Sequence, residues 1–227
     1  MWDAVIPELA EHYLCLRFDK RGHISSPIPI GPYTIEQFSA DLNQLLDSLM
    51  IHPHVMIGIS VGGLIAMDYA LRYGGNLDGL VLADTAAQIG TPDGWQQRIN
   101  ALNDHGLPDM APEILPRWFA AGFAASQPAN YRQYLKMLAQ QSVAGYAASC
   151  AALRDADLRD RISGINLPTM VLCGDEDLVT PPELCADLAA SLPNARFATI
   201  ADAGHLPPIE QPAEFVRQLR DFVGALT

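Results

Sequence analysis

Gly58-Ile59-Ser60-Val61-Gly62, with Gly63 behind it, stands between an apolar, β-compatible run at 54–57 and a helix-forming run at 64–71. A serine at so sharp a strand-to-helix turn is strained in its backbone and presents its hydroxyl at the top of a sheet. The flanking glycines are expected because a β-carbon at either position would meet the neighbouring strand or helix. Behind the serine, a helix N-terminus offers free N–H groups to a developing negative charge. The chemistry this suits is nucleophilic attack on a carbonyl carbon. Composition alone yields such a G-x-S-x-G pattern in about one chain in ten of this length. The surrounding elements and the residues further on therefore decide its meaning.

A serine hydroxyl is a poor nucleophile at neutral pH and needs a base, which in turn needs an orienting partner. The sequence has six histidines. His12 and His105 stand in polar stretches and read as solvated, His52 and His54 flank a loop, and His23 follows a strand-like run and could line a site. His205 is the best placed, in Asp202-Ala203-Gly204-His205-Leu206-Pro207 after the last strand-like run. Ligands bind at loops leaving the carboxyl ends of parallel strands. Three carboxylates sit in such loops: Asp84 after residues 80–83, and Asp175 and Asp177 after residues 170–174. All three satisfy the chain order Ser, Asp, His. The turn favours Asp177, because Gly174 makes a tight exit from the strand and the third residue on projects toward the sheet top. The competing reading of Asp175 and Asp177 is a helix cap or a solvated turn.

These loops need a sheet to carry them. Strands are expected at residues 14–19, 54–59, 77–83, 167–173 and 196–200, and helices at 3–12, from Thr34 onward, 61–73, 181–192 and 211–225. The helix from Thr34 has a capping box, since Gln37 stands three residues on. Its Ile35, Phe38, Leu42, Leu45, Leu46 and Leu49 recur at helical spacing. Strand–helix alternation implies an α/β fold with a mostly parallel sheet covered on both faces. Residues 92–163 differ: helical patterns broken by Gly and Pro, with no strand signal. They read as a helical cap inserted between core segments 1–91 and 164–227.

The chain of 227 residues is 49% hydrophobic and 18% charged, which argues against disorder. A net charge of −12 argues against nucleic acid or an anionic membrane as partner. Cys15, Cys150, Cys173 and Cys185 form no metal-like spacing, and free thiols fit a reducing, cytoplasmic compartment. No signal peptide or membrane span is read at the start or elsewhere. There is no ligand cluster or phosphate-cradling loop, so no metal and no cofactor is expected.

Taken together, Asp19-Lys20-Arg21-Gly22-His23, the Gly58 to Gly63 turn, Gly174-Asp175-Glu176-Asp177 with Pro181-Pro182, and Gly204-His205 with Glu210-Gln211-Pro212 resemble the α/β-hydrolase superfamily. Residues 84–92 and 145–158 look like its 3-oxoadipate enol-lactonase branch. The resemblance implies the α/β-hydrolase fold, with Ser60 as nucleophile, Asp177 as acid and His205 as base. It also implies the Val61 N–H as one oxyanion donor. The expected substrate is a small lactone or ester, opened through an acyl-enzyme. In the cap, Arg117 beside Trp118 and Phe119 suits a small anionic acyl chain, although a surface arginine is more often solvated and a tryptophan more often core. A general carboxylesterase, a haloperoxidase-like hydrolase and a binding protein on a hydrolase scaffold are the competing readings. Oligomeric state is left open, self-association included.

The sequence departs from the family in three places. Ile24 stands where glycine usually follows Arg-Gly-His, and Leu206-Pro207-Pro208 is stiffer than usual. In addition, Met1-Trp2-Asp3 resembles the helix after the loop that gives the second oxyanion donor. About three strands, roughly 30 residues, are therefore expected to be missing ahead of it. The loss would leave a gap between residues 14–19 and 55–59, which direct pairing of those two segments would close. Loss of one oxyanion donor costs on the order of 100- to 1000-fold in rate.

Overall fold

The computed structural model describes residues 1–226. Its sheet has four strands in the order β1-β2-β3-β4: Val55–Ile59, Gly79–Ala83, Thr169–Gly174 and Ala195–Ile200. Every neighbouring pair is parallel, with Ile59 beside Ala83, Ala83 beside Leu172, and Gly174 beside Ile200. The carboxyl ends of all the strands therefore lie along one rim. The central strands β2 and β3 are buried at every position. Helices cover both of their faces, so they read as continuous apolar runs rather than as alternating ones.

The longer helices are α1 Ile35–Leu49, α2 Val61–Tyr73, α3 Pro92–Ile114, α4 Pro128–Ala139, α5 Val143–Asp155, α6 Pro182–Ser191 and α7 Pro212–Gly224. One apolar core joins α1, α2 and α6 to one sheet face through Phe38, Leu64, Met67, Leu82, Val171 and Leu188. A second lies under α7, where Phe215 and Leu219 meet Val81, Met170 and Leu172. The expected capping box of α1 forms in full: the Gln37 N–H donates to Thr34 Oγ1, and the Thr34 N–H donates to Gln37 Oε1, both at 3.2 Å. Fully buried Asp68 ties α2 to its surroundings, accepting from Arg72 Nε at 2.8 Å, from Arg161 Nη1 at 3.5 Å and from the Ser39 hydroxyl of α1.

All four strands lie outside residues 92–163, which hold only helices and turns. This region has its own apolar core, including Leu102, Leu115, Phe119, Phe123 and Cys150. Helix α3 is interrupted at Gly106, whose φ of 78° and ψ of 169° are not helical. Among the described residues, no helix is long and apolar enough to cross a membrane.

Residues 14–19 differ from expectation, for they join no ladder. The outer edge of β1 is unpaired among the described residues, and direct pairing of the two segments does not occur. A strand exists only through a partner's hydrogen bonds, so apolar alternation alone leaves Leu14, Leu16 and Phe18 exposed, Leu14 at 88%. The helix expected over 3–12 likewise shrinks to a 3₁₀ turn at Trp2–Ala4 and one α-turn at Ile6–Leu9.

Candidate active site

Ser60 ends β1 and caps α2 with φ 53° and ψ −123°, a strained conformation for a residue with a side chain. Neighbouring loops hold it there. Its N–H donates to the carbonyls of Ala83 at 3.0 Å and Asp84 at 3.1 Å, and the Thr85 hydroxyl donates to the Ser60 carbonyl at 2.7 Å. The expected glycine requirement holds at Gly58, where a β-carbon would lie 2.2 Å from the Gly62 carbonyl oxygen. At Gly62 it does not hold, since no atom lies within 4 Å of a β-carbon there. The crowded position is Gly63, where a β-carbon would lie 2.4 Å from Thr85 Cγ2, because the helix turns that residue and not Gly62 toward the β2 loop. Val61 is the first residue of α2, so its N–H has no acceptor within the helix.

Asp177 and His205 meet at the adjoining rim, both nearly inaccessible. His205 Nδ1 lies 2.8 Å from Asp177 Oδ2, to which the Thr180 hydroxyl also donates at 2.8 Å. Asp177 Oδ1 accepts the N–H groups of Val179 at 2.7 Å and Thr180 at 3.2 Å. Burial pushes this carboxyl's pKa up. The His205 contact, with the Val179 and Thr180 donors, outweighs it and holds the carboxyl below its ordinary value. Asp177 is therefore ionised at neutral pH, and its charge fixes the imidazole with Nδ1 protonated and Nε2 free to accept. Among the described residues, Ser60 Oγ makes no hydrogen bond. Nucleophile–base contacts are commonly long in a free enzyme and tighten around substrate.

The two loops press on each other and on the cap. A β-carbon on Gly174 would lie 2.1 Å from the Gly204 carbonyl oxygen, and one on Gly204 would lie 2.6 Å from the Ala120 nitrogen. Four hydrogen bonds secure this contact. The His205 N–H donates to the Trp118 carbonyl at 3.1 Å, and Arg117 Nη2 donates to the Leu178 carbonyl at 3.1 Å. The Ala120 N–H donates to Glu210 at 2.7 Å and the Ala121 N–H to Glu176 at 3.0 Å. The sequence reading placed Arg117 and Trp118 in the cap near substrate. Both adjoin the Asp177 and His205 loops, with the Arg117 side chain exposed and Trp118 partly buried.

Of the other candidates, Asp175 is exposed on its loop, while Asp84 is buried behind Asp177. His23 contacts Lys20, with Nε2 and Nζ 2.7 Å apart, and burial followed by the Lys20 charge pushes its pKa down to about 4. His54 faces Asp78 at the opposite rim, 2.6 Å away. The sequence gives no role to Thr180, Glu176 or Glu210, and it offers Asp84 only as an alternative acid. Oxygen and sulfur atoms of Asp84, Cys173 and Asp177 lie within 4.8 Å of one another. They make a poor metal site, because the Cys185 contact and burial raise the Cys173 pKa, and its thiol donates to the Gly174 carbonyl at 3.2 Å.

Residues 1–212 match the family described as alpha/beta hydrolase fold. The chain belongs to the α/β-hydrolase family. It is 34% identical over 219 residues to 3-oxoadipate enol-lactonase 2 of Acinetobacter baylyi, covering 95% of this chain and 80% of that one. The enol-lactonase of Burkholderia xenovorans LB400 superposes with a TM-score of 0.95 at 34% identity, covering 98% of this chain and 85% of that one. A malate-bound thermophilic esterase from Thermogutta terrifontis gives 0.90 at 29%, covering 99% and 85%. This α/β-hydrolase thus has lactonase and esterase relatives, and its loops pair a histidine with a carboxylate on the strand-end rim that also carries Ser60.

Proposed function

We propose that this α/β-hydrolase is a serine hydrolase that opens a small lactone or carboxylic ester through an acyl-enzyme, with the enol-lactone of 3-oxoadipate as its substrate. Ser60 is the nucleophile, His205 the general base and Asp177 the carboxylate that orients it. His205 Nε2 takes the Ser60 proton as Oγ attacks the carbonyl carbon, and the oxyanion that forms is met by the Val61 N–H and the α2 N-terminus. Collapse expels the enolate oxygen and opens the ring. An enol is a stabilised leaving group, so this step asks little of His205 as acid. Water then attacks the acyl-enzyme with His205 again as base, releasing the acid and restoring Ser60. Asp177 stabilises the imidazolium in both steps without taking a proton itself. Arg117 and Trp118 form the wall nearest the acyl chain, the guanidinium serving the substrate carboxylate.

The observation that carries this reading is the buried 2.8 Å contact of His205 Nδ1 with Asp177 Oδ2, on the same strand-end rim as the strained Ser60. The enol-lactonase relatives support the substrate. The test compares the purified chain and its Ser60→Ala variant on the enol-lactone and on a neutral nitrophenyl ester. Hydrolysis of the enol-lactone, reduced at least about 1000-fold by Ser60→Ala, is the expected result. Turnover of the nitrophenyl ester alone points to a general carboxylesterase. Turnover of neither overturns the enzyme reading in favour of a binding protein.

A further inference from the structure

Asp84 ends β2 directly behind Asp177 and is fully buried, with φ 45°. Its Oδ1 accepts the Gly174 N–H at 2.8 Å. No donor reaches its Oδ2, the one buried side-chain polar atom without a partner among the described residues. Leaving a buried carboxylate oxygen bare is costly. The titratable groups facing it are Asp177, Cys173 and Cys185, with His205 beyond Asp177.

A carboxylate oxygen of Asp177 lies within 4.8 Å of Asp84. Two carboxylates in one dry pocket cannot both ionise cheaply, so one of them keeps a proton. The hydrogen bonds choose which. Asp177 accepts from two backbone N–H groups, one hydroxyl and one imidazole, whereas Asp84 accepts from one N–H. Charge therefore settles on Asp177 and the proton on Asp84. Burial, then the Asp177 charge, moves the Asp84 pKa well above its ordinary value, in the same direction.

We propose that Asp84 is a neutral carboxylic acid that directs its Oδ2–H at the Asp177 carboxylate, making it a positioning residue for the Asp177–His205 pair. The proton turns the bare acceptor into a donor and supplies Asp177 with one more hydrogen bond. That bond draws charge from Asp177 and limits how far it stabilises the imidazolium. It also fixes the carboxylate plane toward Nδ1. The assignment of catalytic roles beneath this inference rests on the proposed function.

Asp84→Asn and Asp84→Ala separate this role from a merely structural one. Asparagine keeps an acceptor for the Gly174 N–H and an N–H for Asp177, and it tolerates the positive φ. Alanine keeps neither group. Infrared difference spectra at pH 8 are expected to show a protonated-carboxyl C=O band in the wild type that Asp84→Asn lacks. Asp84→Asn is also expected to keep the wild-type pH profile of kcat/KM. In Asp84→Ala, Asp177 becomes more basic, so the acid limb moves to higher pH by about half a unit to one unit and the plateau falls about tenfold. Absence of the band, or an Asp84→Asn profile shifted like that of Asp84→Ala, overturns the proposal. The band reads Asp84 with no turnover at all. An inactive wild type that shows it would sink the hydrolase reading and leave the carboxylic acid standing.

Discussion

At Arg117, one of five guanidinium donors is committed to the Leu178 carbonyl at 3.1 Å. The same side chain is exposed beside the loop carrying Asp177. A carboxylate on the substrate would find there a planar cation already oriented by one bond, which lowers the entropy lost on pairing. Arg117→Ala is therefore expected to raise KM for a carboxylate-bearing ester about tenfold, the ordinary worth of a charge-assisted hydrogen bond. KM for a neutral ester should stay within twofold of wild type. Equal losses on both esters in steady-state kinetics would assign Arg117 to holding the loop instead. The strand-end positions of Ser60, Asp177 and His205 were legible because composition marks each: a Gly-rich turn, a Gly exit and a Gly-His pair. The contacts of Thr180, Glu210 and Asp84 were not, and Asp84 was legible only as an alternative acid. Their partners are Asp177, the Ala120 N–H and the Gly174 N–H, and no local pattern announces which groups the folded loops bring into contact.

At the level of elements, Lys20 closes the unpaired segment at 14–19 and enters the seam between α1 and α5. Its Nζ donates to the Ser149 hydroxyl at 3.1 Å and lies 5.3 Å above the Phe38 ring. No carboxylate pairs with it among the described residues. Burial lowers its pKa to about 7 from 10.5, the Cys150 thiol opposing weakly. A base whose folded pKa is depressed costs stability while it is charged. Between about pH 7 and pH 10.5 the unfolded chain binds more protons than the folded one, so stability rises with pH across that window. Lys20→Met is thus expected to be more stable than wild type at pH 6 by about 1–2 kcal/mol, discounted because the stem can relax outward. The gap should close by pH 10 in urea titrations, and a gap constant from pH 6 to pH 10 would refute the buried charge. The same seam shows where element reading stopped. The strands at 55–59, 79–83, 169–174 and 195–200 and the helix at 35–49 followed from pattern and caps, because each pattern finds its partner in this chain. Residues 14–19 carry the strand pattern without a ladder, since periodicity describes one face of a strand and says nothing of a neighbour's backbone.

Across the whole molecule, two electrostatic scales oppose each other. The net charge of −12 surrounds an anionic ester with a repulsive field. The Arg117 guanidinium attracts the same ester at contact range. Salt distinguishes them, for the Debye length falls from about 30 Å at 0.01 M to about 8 Å at 0.15 M. Charges spread over the surface act across distances longer than that and are largely screened. A desolvated contact pair at about 3 Å is screened much less. The repulsive contribution therefore fades first, and kcat/KM for a carboxylate-bearing ester is expected to rise about two- to fivefold over that range. A neutral ester should show a flat profile, which removes any general effect of salt on the fold. The slope should also persist in Arg117→Ala, because it belongs to the surface and not to the contact. A fall in kcat/KM with salt would mean that local positive charge at the cap dominates even at long range, and that the acidic surface lies away from the path of approach.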